Sequence, residues 1–434
     1  MSISVFNVFQ IGVGPSSACT VGPMRAANRF SSELRHSGVL NHVSRVSIDL
    51  FGTLAATAFE QRTDDAVLLG LSGEEPETLE SESAAKILKG IVDSGKLSLL
   101  QKHVLPFSIT TDIHYFPHEL IDEHSIALRF TAYNKANEAV HQREFCVASA
   151  GTIRDVAMLA DEGEHMQPLS LPNNVTNIQS LCRLAEEKDS RVSELILENE
   201  CFWRSEQEVR GDLLGVWQII RDCIRRGLDG TPALNTDSGE KRIAPGLHEK
   251  LLLDQRQRSI SPPINAMAWV NLYALSVAEE NARGGRIVSA PTNEHAGVVS
   301  AVLHYFNRFT NRAGEKSIID FLLTAGSVGS LLSQNRINSN AEGEELDDLG
   351  IACAMAAAGL SEALGGSPTQ IENATKIAIN DHLGLKQLSS NDLCAMAAMK
   401  AINASFIAMN GYSEQTTNDR NQTMNVEGFS LRAS

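Results

Sequence analysis

No two of the seven cysteines in this 434-residue chain form a Cys-x-x-Cys pair, and their number is odd. That scatter speaks against a disulfide framework and against the usual zinc or iron–sulfur spacings. Cys353 and Cys394 sit in Ala-rich apolar patterns, where a cysteine reads as a small buried hydrophobe. No apolar run approaches the length that spans a bilayer. The stretch Met1–Asn7 has no basic segment followed by an apolar core and small cleavage residues, so no signal peptide is expected. A basic stripe is missing too. The formal charge is −16 and the pI about 5.2, which gives nucleic acid or an anionic membrane no electrostatic foothold. A cytoplasmic location is expected.

What is present is ordinary globular material, 43% apolar and 21% charged, and long enough for two domains. Residues 1–160 read as an α+β domain, a small β-sheet with helices. Val21–Leu34 has the pattern of a helix opening on Pro23. Val46, Ile48 and Leu50 alternate with polar residues as a half-buried strand, and Ile126, Leu128, Phe130 and Ala132 share one face of another. Phe107–Thr110 suggests a further strand. Asn134–Asn137 makes the turn into a last one ending near Val147. Residues 161–174, with Pro168 and Pro172, are the expected linker.

From 175 to 411 the pattern is all-α. Segments at Ile178–Arg204, Glu206–Leu228, Asn265–Glu280, Val298–Arg308, Ile318–Gln334, Leu349–Leu364 and Asp392–Asn410 carry helical periodicity. Trp269, Leu272, Tyr273, Ser276 and Val277 form one stripe, and the small-residue run Cys353–Gly359 suits a helix at the centre of the domain. Residues 412–434 are polar and expected to be disordered.

Two loops concentrate polar groups just ahead of helices. Gly14–Pro23 carries Ser16, Ser17, Cys19 and Thr20; Ala290–Gly297 carries Thr292, Asn293, Glu294 and His295. Backbone N–H groups at such helix starts suit a carboxylate or phosphate, although plain N-capping uses the same residues.

Val5–Ser17, Thr20–Met24, Thr63–Gly73, Trp269–Leu275 with Glu279–Asn281, Ala290–Asn293, Phe321–Gly326, Met355–Gly366 and Lys400–Ala404 resemble, in order and over nearly the whole chain, the bacterial iron–sulfur L-serine dehydratases. The resemblance implies a single chain joining a β-type and an α-type domain, a homodimer, and a site where the two loops face each other. It also implies elimination of water from L-serine at a [4Fe–4S] cluster, which acts as Lewis acid for a poor leaving group.

At the positions the resemblance assigns to chemistry, the residues differ. Glu345 and Gln387 stand where two cluster cysteines are expected; the segment bearing the third is shortened before Asn391, with Ser390 nearest its place. Gln61 replaces the histidine base, and glutamine takes no proton. Cys19 stands for a histidine in the first loop, Ala148–Ala150 for a triple glycine, and Glu294–His295 for Gly-Ala; His124 is kept.

No cofactor is therefore expected, neither [4Fe–4S] nor pyridoxal phosphate, with a small amino-acid-like molecule as ligand. Three readings stay open. In the first, a repurposed cluster-free enzyme uses Cys19 as nucleophile, His295 as base and Glu294 to orient it. Its substrate would be held by Ser16, Ser17, Thr20, Gln61, Arg62, Asp64, His124, Thr292 and Asn293. The second is a non-catalytic amino-acid binder or partner subunit; the third is an L-serine dehydratase with replaced ligands.

Overall fold

The computed structural model describes residues 4–122, 124–148, 151–159, 171–230, 242–257, 262–338, 347–381 and 390–411. The expected disordered tail and residues 161–170 of the expected linker lie outside the described residues. The strands are β1 (Ile11–Val13), β2 (Arg45–Phe51), β3 (Lys96–Leu99), β4 (His103–Pro106), β5 (Ile113–Phe116), β6 (Ile126–Tyr133), β7 (Ala139–Val147), β8 (Ile153–Asp155) and β9 (Arg286–Val288). Five of them build the N-terminal sheet in the order β5-β2-β6-β7-β8, antiparallel except for the parallel β2–β5 pair. An α+β N-terminal region followed by an all-α one is what the sequence implies and what the chain forms.

β2 carries more burial than its alternation promised. Val46, Ile48 and Leu50 pack with Phe30 of the helix Gly22–His36 and with Phe130 and Phe145. On the opposite face Ser47 and Phe51 are buried as well, because β2 is an inner strand and Phe51 belongs to a second small core with Ala127, Cys146 and Val156. Asn134 makes the predicted turn, its Oδ1 accepting the N–H groups of Ala136 and Glu138 at 2.8 and 3.0 Å.

The strand expected at Phe107–Thr110 is not formed. β4 ends at Pro106, and Ile109–Asp112 is a helical turn closed by the Ser108 N–H on the Asp112 carboxylate at 2.9 Å. A short side chain that captures local backbone in this way outcompetes the strand ladder.

The helical region is centred as expected on Asp348–Ala363, in which Leu349 through Ala363 are all buried. Its small residues let backbones approach: a Cβ on Gly359 would stand 2.9 Å from the Phe321 carbonyl oxygen. All five stripe residues from Trp269 to Val277 are buried. Ile178–Arg204 divides into helices Ile178–Glu187 and Val192–Glu200, with Asp189 left-handed between them at φ 49°. The helices Ser81–Ser94, Ala244–Gln257 and Pro368–Asp381 were not foreseen. None of the described helices is long and apolar enough to cross a membrane.

The first residues cross over to the helical region. Val5, Val8 and Phe9 pack in its core; a Cβ on Gly326 would lie 2.7 Å from the Val5 side chain and one on Gly329 3.0 Å from Val8. The Val5 N–H and the Ser4 hydroxyl donate to the buried Glu200 carboxylate at 2.8 and 2.6 Å. β1 then pairs antiparallel with β9, Ile11 opposite Val288 and Val13 opposite Arg286. This two-stranded ribbon sets the site.

Within the helical core His304 sits edge-on to Tyr273 at 4.4 Å and 5.7 Å from Trp217, its Nδ1 buried without a hydrogen-bond partner. Burial first, then the nearby Arg308 and Arg221 charges, push its pKa from an ordinary 6.5 down to about 4. The unfolded chain therefore binds this proton between those values while the folded chain does not. His304's contribution to stability is intact above pH 6.5 and is lost as pH falls toward 4. In urea titrations, His304→Phe should match the parent near pH 7 and gain on it progressively below pH 6.5; equal midpoints at every pH would refute the assignment.

Candidate active site

β1 and β9 run antiparallel, so the two polar loops leave opposite ends of the short ribbon and meet where Asn293 folds back to Val13 and Ser17. Both turn on cis prolines, Pro15 and Pro291. The Gly14 N–H donates to the Gly285 carbonyl at 3.1 Å, continuing the ladder, and the Ser289 N–H donates to the Gln10 carbonyl at 2.8 Å. Gly14 lies so close to the other chain segment that a Cβ would fall 1.8 Å from the Asn281 carbonyl oxygen. Asn281 Nδ2 donates to the Pro15 carbonyl at 2.8 Å.

Asn293 is the joint between the loops. Its Oδ1 accepts the Ser17 hydroxyl at 3.0 Å and the Ser289 hydroxyl at 2.6 Å. Its Nδ2 donates to the Val13 carbonyl at 3.1 Å, and its backbone N–H to Ser17 Oγ at 3.1 Å. Ser17, Ser289 and Asn293 are all buried. The side chain lies flat on Gly12, where a Cβ would stand 2.8 Å from Oδ1. Thr20 is similarly committed, its hydroxyl turned to the Val13 carbonyl at 2.6 Å and to the Ser16 carbonyl. Ser17 and Asn293, expected as ligand groups, thus spend their polar atoms on joining the loops, and Thr20 spends its hydroxyl inside the first.

The helical start after the first loop, Ser17–Val21 leading into Gly22–His36, has no acidic residue in its first turns. Cys19 is buried, its Sγ 3.8 Å from Thr57 Oγ1 on the helix Gly52–Gln61. Burial raises the thiol's pKa, more than its hydrogen bonds to Thr57 and Ser16 lower it. His295 is half-buried at the cap of the helix Ala296–Phe309, with Nδ1 facing Thr292 Oγ1 at 3.1 Å. Burial lowers its pKa below 6.5, opposed by Asp348, Glu294 and Asp347. The thiol–imidazole pair expected from the sequence is not formed: each group has a different partner, and the thiol is held in its neutral, poorly nucleophilic form. Glu294 is exposed, and its carbonyl accepts the Cys394 thiol at 3.4 Å.

The helix Gly52–Gln61 links the remaining candidates. Its Thr57 faces Cys19, and Gln61 and Arg62 close its C-terminal end. The Thr53 N–H in its first turn binds the Ser125 carbonyl at 2.7 Å, next to His124. Arg62 is not free to take a carboxylate. Both Nε and Nη2 bind Asp65 Oδ2, at 2.9 and 2.7 Å, beside a narrow cleft lined mainly by Val13, Met24, Ala66, Leu69 and Leu88. Asp64 accepts the Tyr115 hydroxyl at 2.6 Å, and burial raises its pKa.

Sequence reasoning missed Ser289, Asn281 and Thr57. Asn281 lay in a quoted motif and Ser289 directly before Ala290-Pro291, but a hydroxyl or amide shows its partner only once the chain is folded.

The chain belongs to the serine dehydratase family. Residues 4–157 match the model of the serine dehydratase beta chain and 187–428 that of the alpha chain. It is 38% identical to the L-serine dehydratase of Streptomyces coelicolor over 95% of this chain and 91% of that one. It is 39% identical to that of Mycobacterium bovis (95% and 90%) and 34% to L-serine dehydratase TdcG of Escherichia coli (94% and 90%).

Membership corrects the expectation of a protein without a cofactor, because the family points to a [4Fe–4S] cluster. Glu345 and Gln387, on which that expectation rested, lie outside the described residues. Cys353 donates to the Ala397 carbonyl at 3.4 Å and Cys394 to that of Glu294, and burial pushes Cys394, Cys182 and Cys223 up to about 12. Among the described residues no three His, Cys, Asp or Glu side chains are grouped to hold a metal.

Asn293→Ala strands two buried hydroxyls and should cost about 3 kcal/mol. Thr292→Ala, at a half-buried rim position, should cost under about 1 kcal/mol. Urea unfolding of the two variants checks this, and equal losses would deny Asn293 its place as the joint.

Proposed function

We propose that the protein is an amino-acid lyase of the L-serine dehydratase type, with a small α-amino acid such as L-serine bound between the Gly14–Pro23 and Ala290–Gly297 loops. The observation that carries this is the meeting of both loops at the Ser17–Asn293 contact beside the β1–β9 ribbon, with a half-buried histidine on one of them. The relatives are L-serine dehydratases by name, which supports it.

The N–H groups that open Ser17–Val21, at the positive end of the helix behind them, suit the substrate carboxylate. Ser16 Oγ and the neutral Cys19 thiol line the same turn. His295 is the candidate base. With Nδ1 turned to Thr292, its Nε2 is left to take the α-proton, and a pKa below 6.5 keeps it unprotonated at neutral pH. Loss of that proton and of hydroxide from Cβ gives aminoacrylate, whose imine tautomer water hydrolyses to pyruvate and ammonia. An iron–sulfur cluster, when bound, would supply the Lewis acid that hydroxide departure calls for; no described residue is assigned to hold it. Thr292 fixes the imidazole, and Asn293 and Ser17 fix the distance between the two walls.

The test is purification without oxygen, a visible spectrum, and pyruvate formation from L-serine across pH. Turnover is expected, with kcat/KM falling on the acid side below pH 6.5 as His295 protonates, and His295→Gln should lower it at least a hundredfold. A thermal shift with L-serine but no pyruvate would replace the lyase by a binding protein; neither shift nor pyruvate would reject the reading.

A further inference from the structure

We propose that Ser289 is a positioning residue that holds the Gly14–Val21 turn in place through Asn293, across 268 positions from Ser289 to Val21 in sequence. Its backbone is anchored at the end of the ribbon, with Ser289 N–H on the Gln10 carbonyl at 2.8 Å. Its hydroxyl therefore points from a fixed origin. It donates to Asn293 Oδ1 at 2.6 Å, the shortest of the hydrogen bonds that the Asn293 side chain and N–H make.

The direction of these bonds matters. With Ser289 and Ser17 both donating, Oδ1 is fully occupied and the amide has one orientation, Nδ2 toward the Val13 carbonyl. Ser17 Oγ, having given its proton to Oδ1, is left to accept the Asn293 N–H. The chain of bonds runs Ser289, Asn293, Ser17, and Ser17 opens the turn that carries Cys19. Without the Ser289 hydroxyl, Oδ1 keeps a single donor. The amide can then swing on Cα–Cβ, and the Ser17 turn loses its fixed distance from His295. Ser289 touches no substrate in this account; it acts through another residue.

The role in catalysis rests on the lyase reading, but the structural role does not, and the experiment separates them. Amide hydrogen exchange followed by mass spectrometry reads the turn directly. In Ser289→Ala, peptides covering Gly14–Val21 should exchange three- to tenfold faster, the effect of one neutral hydrogen bond, while peptides of Asp348–Ala363 stay unchanged. Ser289→Cys, nearly isosteric and a weaker donor, should fall between and serves if the alanine variant folds poorly. In pyruvate assays kcat should drop about tenfold with KM within twofold, and Ser289→Thr, which keeps the hydroxyl, should recover it. Faster exchange confined to residues 286–296, or unchanged exchange in Gly14–Val21, overturns the proposal whether or not the enzyme turns over. Absence of pyruvate from the parent protein would sink the lyase reading alone and leave the exchange result to decide.

Discussion

One buried amide holds the candidate site together. Asn293 reaches from the loop after β9 to Val13 at the end of β1 and to Ser17 on the loop that follows, and every hydrogen bond of its amide side chain and N–H, except that to Ser289, crosses between segments more than 270 residues apart. In a buried setting such a network is worth most when complete, since each unmet donor or acceptor carries its full desolvation cost. The glycines around it follow from the same constraint. Gly12 must leave room for the amide, and Gly14 must let the Asn281 carbonyl pass.

The amide can act as a joint because the chain's beginning is built into its far half. Val5, Val8 and Phe9 are core residues of the helical region, and Glu200 holds the N–H of Val5 and the hydroxyl of Ser4. β1 therefore approaches β9 from an anchored base, and the five-stranded sheet follows it in the chain. Farther along, Glu280, buried between Arg226 at 3.1 Å and Arg242 at 2.7 Å, steadies the helix end from which Asn281 reaches Pro15. The functional loops are thus set by rigid neighbours on both sides.

Much of this was legible in the chain itself. Periodicity placed the Trp269–Val277 stripe and the Ala-rich central helix, because both follow from burying one face or packing small residues closely. Both site loops stood out as polar segments ahead of helices. What could not be read was how their polar atoms are shared. Ser17, Thr20 and Asn293 have the same composition as a ligand-binding set and turn out to bind each other and the backbone; Arg62 looks like a carboxylate receptor and is closed by Asp65, three residues on. Phe107–Thr110 failed for a local reason, the reach of Asp112 back to Ser108. The inference of a cofactor-free protein failed for a different one: it weighed isolated substitutions such as Glu345 and Gln387 above a family relationship that covers nearly the whole chain.

The central claim is that Ser17 and Asn293 join the two loops into one site. A double-mutant cycle on urea stability measures that directly, with Ser17→Ala, Asn293→Ala and the pair. If the joint exists, the double variant should be less destabilised than the sum of the singles, by about 1 kcal/mol or more, because the same bonds are lost in each. Additivity within about 0.3 kcal/mol would show that the two residues do not depend on each other, and the account of the site would fall with it.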